Sequence, residues 1–153
     1  IMSGYHNRPE ENEAALRNGW LYTGDIGERD ADGYLFIRDR KKDMVIVGGY
    51  NVYPREIDEV LYTRPAVLEA AAVGVADDYR SEVIYAFIVL KPNAQTDTEQ
   101  ILEHGRSNLA KYKLPSRVRF IEALPKTSVG KIDKKTLRAT GHEAAARETI
   151  QQS

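Results

Sequence analysis

Three short segments of the 153-residue chain carry side chains suited to chemistry on a nucleotide phosphate. The last of them, Pro125-Lys126-Thr127-Ser128-Val129-Gly130-Lys131-Ile132, sets a lysine beside a glycine among small hydroxyl residues. It reads as a mobile loop carrying a cation. A lysine ammonium is a compact point charge on a long stem, suited to an anion that is present only part of the time. The first segment, Tyr22-Thr23-Gly24-Asp25, puts a carboxylate at the end of an expected strand. There it can accept two hydroxyl protons, as from a ribose diol, or bond its own backbone as a turn aspartate. The middle segment, Arg38 to Pro54, contains Arg40, whose guanidinium can fork onto phosphate or ribose oxygens or stand as a solvated surface charge. Lys42 belongs to the same charge run, and Gly48-Gly49 can let a ligand pass close to the backbone or simply supply positive φ for a turn.

Bulk properties narrow the classes of function. The chain is 42% hydrophobic and 29% charged, which suits a globular domain with a modest core. Its 22 basic and 23 acidic side chains nearly cancel, so no net field attracts nucleic acid or an anionic membrane, and a phosphate ligand has to be bound locally. The absence of cysteine excludes disulfides and thiolate metal sites and fits a cytoplasmic location, at most peripheral at a membrane. His6, His104 and His142 match no metal-ligand spacing. No apolar run approaches the roughly 20 residues of a membrane-spanning helix.

The elements that must position these residues can be read from punctuation and periodicity. Pro9 to Leu16 reads as a short helix opened by proline and acids, and Trp20 to Thr23 as a strand ended by Gly24-Asp25. The Asp- and Gly-rich segment 29–33 predicts a hairpin turn, with Tyr34 to Ile37 as its return strand. The six consecutive charged residues from Arg38 to Asp43 are expected to lie outside any core and to mark a domain boundary. Beyond them, Met44 to Val47 predicts a strand and Gly48 to Asn51 a tight turn. Pro54 opens a helix with an Ile57, Val60, Leu61 stripe, which Pro65 stops. Val67 to Val75 and Val83 to Leu90 are expected strands around the loop Asp77 to Arg80. A helix with a capping-box-like start at Thr96 to Glu99 is expected to continue to about Tyr112, where Leu114-Pro115 breaks it. A last strand, Val118 to Ile121, precedes the Lys131 loop, and Lys134 to Ala146 predicts a terminal helix fraying into the tail Gln151-Gln152-Ser153. The result is an α+β domain, a mixed sheet flanked by helices, over residues 42–153. Residues 1–41 read as the edge of something larger, and the start at Ile1-Met2 as internal to a longer protein.

The order and spacing of several motifs resemble the C-terminal part of acyl-adenylate-forming enzymes. These are Gly19-Trp20-Leu21-Tyr22-Thr23-Gly24-Asp25, Asp32-Gly33-Tyr34, Arg40-Lys41-Lys42-Asp43-Met44-Val45-Ile46, Gly49-Tyr50-Asn51-Val52-Tyr53-Pro54-Arg55-Glu56-Ile57, and Leu124-Pro125-Lys126-Thr127 with Gly130-Lys131-Ile132. That AMP-binding superfamily includes acyl-CoA synthetases, amino-acid adenylation domains of peptide synthetases, and luciferases. The resemblance runs from about Ile1 to Arg138, and the Asn51 to Ile57 run looks most like fatty-acid–CoA ligases.

The resemblance implies a mobile C-terminal domain preceded by a β-hairpin remnant of a larger N-terminal domain, which would hold the acyl and triphosphate sites. It implies an acid–thiol ligase that forms acyl-AMP from ATP and a carboxylic acid, then acyl-CoA. It assigns Lys131 as the catalytic lysine of adenylation, Asp25 to the AMP ribose hydroxyls and Arg40 to the nucleotide. Lys42 takes the hinge position, and Gly49, flanked by Gly48 and Tyr50, the CoA-side loop. Where the family usually has glycine before the Arg40 position this chain has Asp39, which is expected to alter a local turn. ATP/AMP and CoA enter as substrates, with Mg2+ expected in the full enzyme and not liganded by this segment. The partners implied are the N-terminal domain of the same chain, a fatty acid or other carboxylic acid, and CoA. Exposed strand edges in residues 1–41 invite self-association.

The chemistry is consistent with these roles. A carboxylate and the α-phosphate repel each other, and a cation meeting the developing charge lowers that barrier. A hinge rotation can then present a second surface to the same site. The chain contains no G-x-x-x-x-G-K-[ST] sequence, so nothing here cradles a triphosphate and no ligase turnover is expected of it alone. Two other readings stand beside this one: an adenylation domain serving a carrier protein, and a non-catalytic nucleotide- or partner-binding module.

Overall fold

The structure, a computed structural model, describes residues 2–151, with side chains described from Met2 to Arg147. The end of the polar tail, Gln152-Ser153, lies outside the described residues. The chain divides into two compact units, Ile1–Lys42 and Asp43–Ser153.

The first unit begins with a short helix, α1 (Pro9–Ala15), with proline and two glutamates in its first turn. Two-residue strands β1 (Leu16–Arg17) and β2 (Trp20–Leu21) pair through Asn18 and Gly19, which have φ of 52° and 80°. Asn-Gly with both residues at positive φ is the preferred two-residue hairpin turn. The strand expected over Trp20 to Thr23 is therefore shorter, because Gly24 breaks it with φ of 76°. Asp25 does not end a strand but starts one: β3 (Asp25–Arg29) pairs antiparallel with β4 (Leu35–Arg40), with a register shift at Ile26/Gly27. The connecting turn is tied by Asp30, whose carboxylate accepts the Tyr34 N–H at 2.8 Å. The charge run Arg38 to Asp43 lies outside both hydrophobic clusters, as expected, but it includes strand residues and one buried carboxylate. Arg38 to Arg40 continue β4, and Asp39, opposite Ile26, is only 8% exposed.

The second unit is a mixed five-stranded sheet. Strands β5 (Val45–Val47), β6 (Tyr50–Val52), β7 (Val67–Asp77) and β8 (Ser81–Leu90) pair antiparallel in the order β6-β5-β8-β7. β9 (Arg117–Phe120) adds to β8 in parallel. Tyr50 and Asn51, expected in a turn, belong to β6, so the turn between β5 and β6 is only Gly48-Gly49. Helix α2 (Pro54–Tyr62) and helix α3 (Thr98–Asn108) cover one face, and α4 (Lys134–Gln151) covers the other. β7 and β8 read as near-continuous apolar runs because both faces are covered. Ala70, Ala72, Ile84, Ala86 and Ile88 pack with Ile57, Leu61 and Ile101, while Val73, Val75, Tyr85 and Phe87 pack with Leu137 and Ala144. Gly141 lets α4 approach closely: a Cβ there would lie 2.6 Å from Val75 Cγ2.

Asp97 caps α3, accepting the Gln100 N–H at 2.8 Å. The helix ends four residues before the expected Tyr112. Leu109 turns to extended backbone and is buried, and Lys111–Lys113 form a separate 3-10 turn. Burial of the leucine outweighs the local preference to continue the helix. The outer edge of β7 is blunted by α2, since Asp58 Oδ1 accepts the Ala72 N–H at 2.5 Å. That contact removes an unpaired donor from a strand edge.

Candidate functional site

In the first unit the fold brings Asp25 and Arg40 face to face as the end pair of β3 and β4, 15 positions apart in sequence and opposite in register. Arg40 Nε forms an ion pair with Asp25 Oδ1 at 3.3 Å. The Asp25 N–H donates to Thr23 Oγ1 at 3.1 Å, and the Lys41 N–H to the Gly24 carbonyl at 2.8 Å. These bonds close the strand end around a cleft of about 370 Å³ lined by Thr23, Gly24, Arg40, Lys41 and Lys42. Its lining thus offers three cationic side chains and the Thr23 hydroxyl, with the Asp25 carboxylate paired to one of those cations, Arg40, a suitable surface for an anionic ligand. Asp39, where a turn glycine was expected, sits in extended strand and not at positive φ. Its carboxylate accepts the Arg40 N–H at 2.7 Å, so it holds the arginine's backbone. Lys42 lies in the 3-10 turn Lys41–Asp43 that follows β4.

In the second unit, Gly48 and Gly49 have φ of 55° and 86°, so the turn between β5 and β6 needs the freedom only glycine supplies cheaply. A Cβ on either would meet nothing within 4 Å, so the constraint is backbone conformation and not space. The Gly48 N–H donates to the Arg80 carbonyl at 3.0 Å, anchoring the turn to the β7–β8 loop. Tyr50 is exposed and stacks on Tyr112 with ring centroids 4.6 Å apart. Next to it, Lys113 forms an ion pair with Glu56 at 2.6 Å.

The segment around Lys131 was expected to be a mobile loop, and it is a closed turn. Lys126 bridges Ile132, Thr127 N–H donates to the Lys131 carbonyl at 2.7 Å, and Gly130 N–H to the Thr127 carbonyl at 2.9 Å. Thr127 Oγ1 accepts the Lys131 N–H at 3.2 Å. Both shoulders are held by ion pairs, Lys126 to Glu69 of β7 at 2.8 Å and Lys134 to Asp58 of α2 at 3.1 Å. The Lys134–Asp58 pair is largely buried, with side chains 19% and 14% exposed. Asp133 caps α4, accepting from the backbone of Lys135 and Thr136 and from the Thr136 hydroxyl. Hydrogen bonds from the Thr136 side chain and then its backbone hold the Asp133 carboxyl below the usual carboxylate range. At the tip, the Lys131 side chain is exposed, and its ammonium has no hydrogen-bond or ion-pair partner among the described residues.

Sequence reasoning did not single out Thr23, Tyr112, Asp58, Lys134, Asp43 or Arg138. Only the last two cations carried a sequence signal, a spacing of four that sets Lys134 and Arg138 on one side of a helix. Their carboxylate partners lie too far away in sequence to be inferred. Among the described residues no group of three or more His, Asp or Glu side chains converges as a metal ligand set.

Residues 56–131 match the family described as the AMP-binding enzyme C-terminal domain. The long-chain-fatty-acid–CoA ligase of Bacillus subtilis (strain 168) is 52% identical over 137 residues, covering 90% of this chain and 24% of that protein. Long-chain-fatty-acid–CoA ligase FadD13 of Mycobacterium tuberculosis is 47% identical over 138 residues, covering 90% of this chain and 27% of that protein. A solved structure of o-succinylbenzoate CoA synthetase from Bacillus subtilis, in complex with an acyl-adenylate intermediate, superposes with a TM-score of 0.85 at 37% identity, over 90% of this chain and 28% of that one. The chain spans about a quarter of the length of these relatives. With this match, and with the mixed sheet flanked by helices that the superposition shares, the chain belongs to the adenylate-forming AMP-binding enzymes and carries their C-terminal domain.

Proposed function

We propose that this chain is the C-terminal part of an ATP-dependent acid–thiol ligase acting on long-chain fatty acids. Two of the relatives are named for that reaction, and they supply the choice of acid and of free CoA over a carrier protein. In the first half-reaction a carboxylate oxygen bonds to the α-phosphorus of ATP and the bond to pyrophosphate breaks, leaving acyl-AMP. In the second, the CoA thiol loses its proton and its sulfur bonds to the acyl carbonyl while AMP departs. Residues 1–42 supply the end of the nucleotide site, with Asp25 meeting the ribose hydroxyls and Arg40 the nucleotide. The second carboxylate oxygen of Asp25 has no partner among the described residues, so the Arg40 ion pair leaves it an acceptor. Lys42 is the pivot for the unit that follows. The Gly48-Gly49-Tyr50 turn faces the thiol in the second step, and preceding residues of the same polypeptide hold the acyl and triphosphate sites.

The observation that carries this reading is the Lys131 ammonium, exposed and unpartnered among the described residues on a turn anchored at both shoulders. Such a cation is pre-positioned by its scaffold yet uncommitted, which is what stabilising charge in a transition state requires. Because the turn itself is closed, motion of the ammonium comes from the whole unit and not from the loop.

The test is Lys131→Ala in the full-length enzyme. Acid-dependent exchange of pyrophosphate into ATP is expected to fall by roughly a hundredfold or more, while thioester formation from preformed acyl-AMP continues. Equal loss in both steps would remove Lys131 from the adenylation role. A panel of carboxylic acids of different chain length in the same exchange assay checks the substrate; preference for short or aromatic acids would replace the fatty acid.

A further inference from the structure

We infer that Arg138 is a positioning residue for Lys131, acting through Asp43; the inference rests on the roles of Lys131 and Lys42 proposed above. Asp43 follows Lys42 directly and is the first residue of the second unit. Its carboxylate accepts a hydrogen bond from Arg138 Nη2 at 2.6 Å, across 95 residues of sequence. The two side chains are 15% and 30% exposed, so the pair is sheltered from the solvent that weakens surface ion pairs. Arg138 lies one turn beyond Lys134 on α4, so the two cations share a side of the helix. Lys134 clasps Asp58 of α2, and Arg138 clasps the segment that leaves the pivot.

Helix α4 begins directly after the Lys131 turn, and its cap, Asp133, donates its backbone N–H to the Pro125 carbonyl at 2.8 Å on the opposite shoulder of that turn. The turn, α4 and the residue after the pivot are therefore one continuous chain of short contacts. A rotation at Lys42 reaches Lys131 through the Asp43–Arg138 contact without first being absorbed by the intervening sheet. The Gly48-Gly49 turn does not depend on that contact, because it is tied to the sheet through Arg80. Loosening Arg138 thus affects placement of the ammonium and spares the surface proposed for the thiol. The Lys126–Glu69 and Lys134–Asp58 pairs do not involve Arg138, so the turn is expected to keep its shape when Arg138 is changed.

The experiment compares full-length wild type with Lys131→Ala, Arg138→Ala, Arg138→Lys and the exchange Asp43→Arg with Arg138→Asp. Each is assayed for acid-dependent pyrophosphate exchange, for thioester formation from preformed acyl-AMP, and for thermal midpoint. Misplacement of a catalytic group by about 1 Å costs on the order of a hundredfold, so Arg138→Ala is expected to lower kcat of adenylation by roughly tenfold to a hundredfold. KM for ATP and the thioester step are expected to stay within about threefold, as for groups outside the coupled network. Arg138→Lys should return part of the loss and the charge exchange most of it. Parallel loss in both steps that follows the thermal midpoint would show a purely structural pair and overturn the inference. Wild-type adenylation in Arg138→Ala, with Lys131→Ala inactive, would overturn it while leaving the proposed function standing. Active Lys131→Ala would remove that function and this inference with it.

Discussion

The sheet of the second unit and the β3–β4 hairpin of the first are made from the same kinds of apolar residue, yet they end in opposite environments. Among the described residues, every buried hydrophobic side chain, from Val45 to Ala144, belongs to the second unit. In the first, Trp20, Tyr34, Leu35, Phe36 and Ile37 are all exposed, and the buried side chain among the described residues is a carboxylate, Asp39. The difference lies in layers. β7 and β8 have helices on both faces, so alternating residues enter two cores, whereas β3 and β4 form a two-stranded sheet. An isolated two-stranded hairpin is marginal in water. The comparison separates a unit with its own core from one that leaves its apolar side chains exposed, a surface we assign to contact with the preceding part of the polypeptide proposed above.

The sharpest break of this comparison pairs two substitutions. Phe87→Ala, in the centre of β8, is expected to cost about 3–5 kcal/mol in chemical denaturation of this chain. Leu35→Ala, at a side chain 76% exposed, is expected to change stability by no more than about 0.5 kcal/mol. If the first unit borrows its core, Leu35→Ala should cost about 2 kcal/mol in the full-length enzyme; the same small effect in both contexts would refute the borrowed core. Next in size is Gly141→Val, which drives a branched side chain into Val75 and Tyr85 and is expected to cost roughly 1–3 kcal/mol by thermal unfolding. A smaller effect of opposite sign is expected at Ser81, which holds φ of 67° at the β7–β8 turn. Ser81→Gly removes a left-handed strain and should stabilise by roughly 1 kcal/mol.

The smallest effect is electrostatic. The Asp133 carboxyl is held below its ordinary value first by the Thr136 hydroxyl. A group depressed in the folded state stabilises fully above the ordinary carboxylate pKa of about 4 and loses that contribution as pH falls through the lowered one. Thr136→Val should raise the Asp133 pKa toward the ordinary value, so the contribution shrinks and its loss is complete at a higher pH. An NMR titration of the Asp133 carboxyl checks this, and an unchanged midpoint would assign the depression to the backbone donors.

Much of the second unit was legible before any coordinates, because its signals are local. Pro54 opening α2, the Asp97 cap of α3 and the apolar runs of β7 and β8 are written in adjacent residues. The first unit was read less well. Asn18-Gly19 is a strong hairpin signal that a strand beginning at Trp20 left unused, and the charge run at Arg38 concealed the end of β4. The candidate residues could be named from type and order, but not their partners. That Asp25 faces Arg40, that Lys131 is spared a partner while Lys126 and Lys134 are taken, and that Asp39 is buried all follow from pairing.

The sequence by itself determined which segments turn, which run straight and which coil, together with the positions of the charged groups along them, because backbone preferences and side-chain periodicity act over a few residues. Only the tertiary structure decided that Arg138 meets Asp43 across 95 residues and that Lys134 meets Asp58 on another helix. Contacts at such separations depend on strand order and on which face of the sheet each helix covers, and no local window of sequence contains that information.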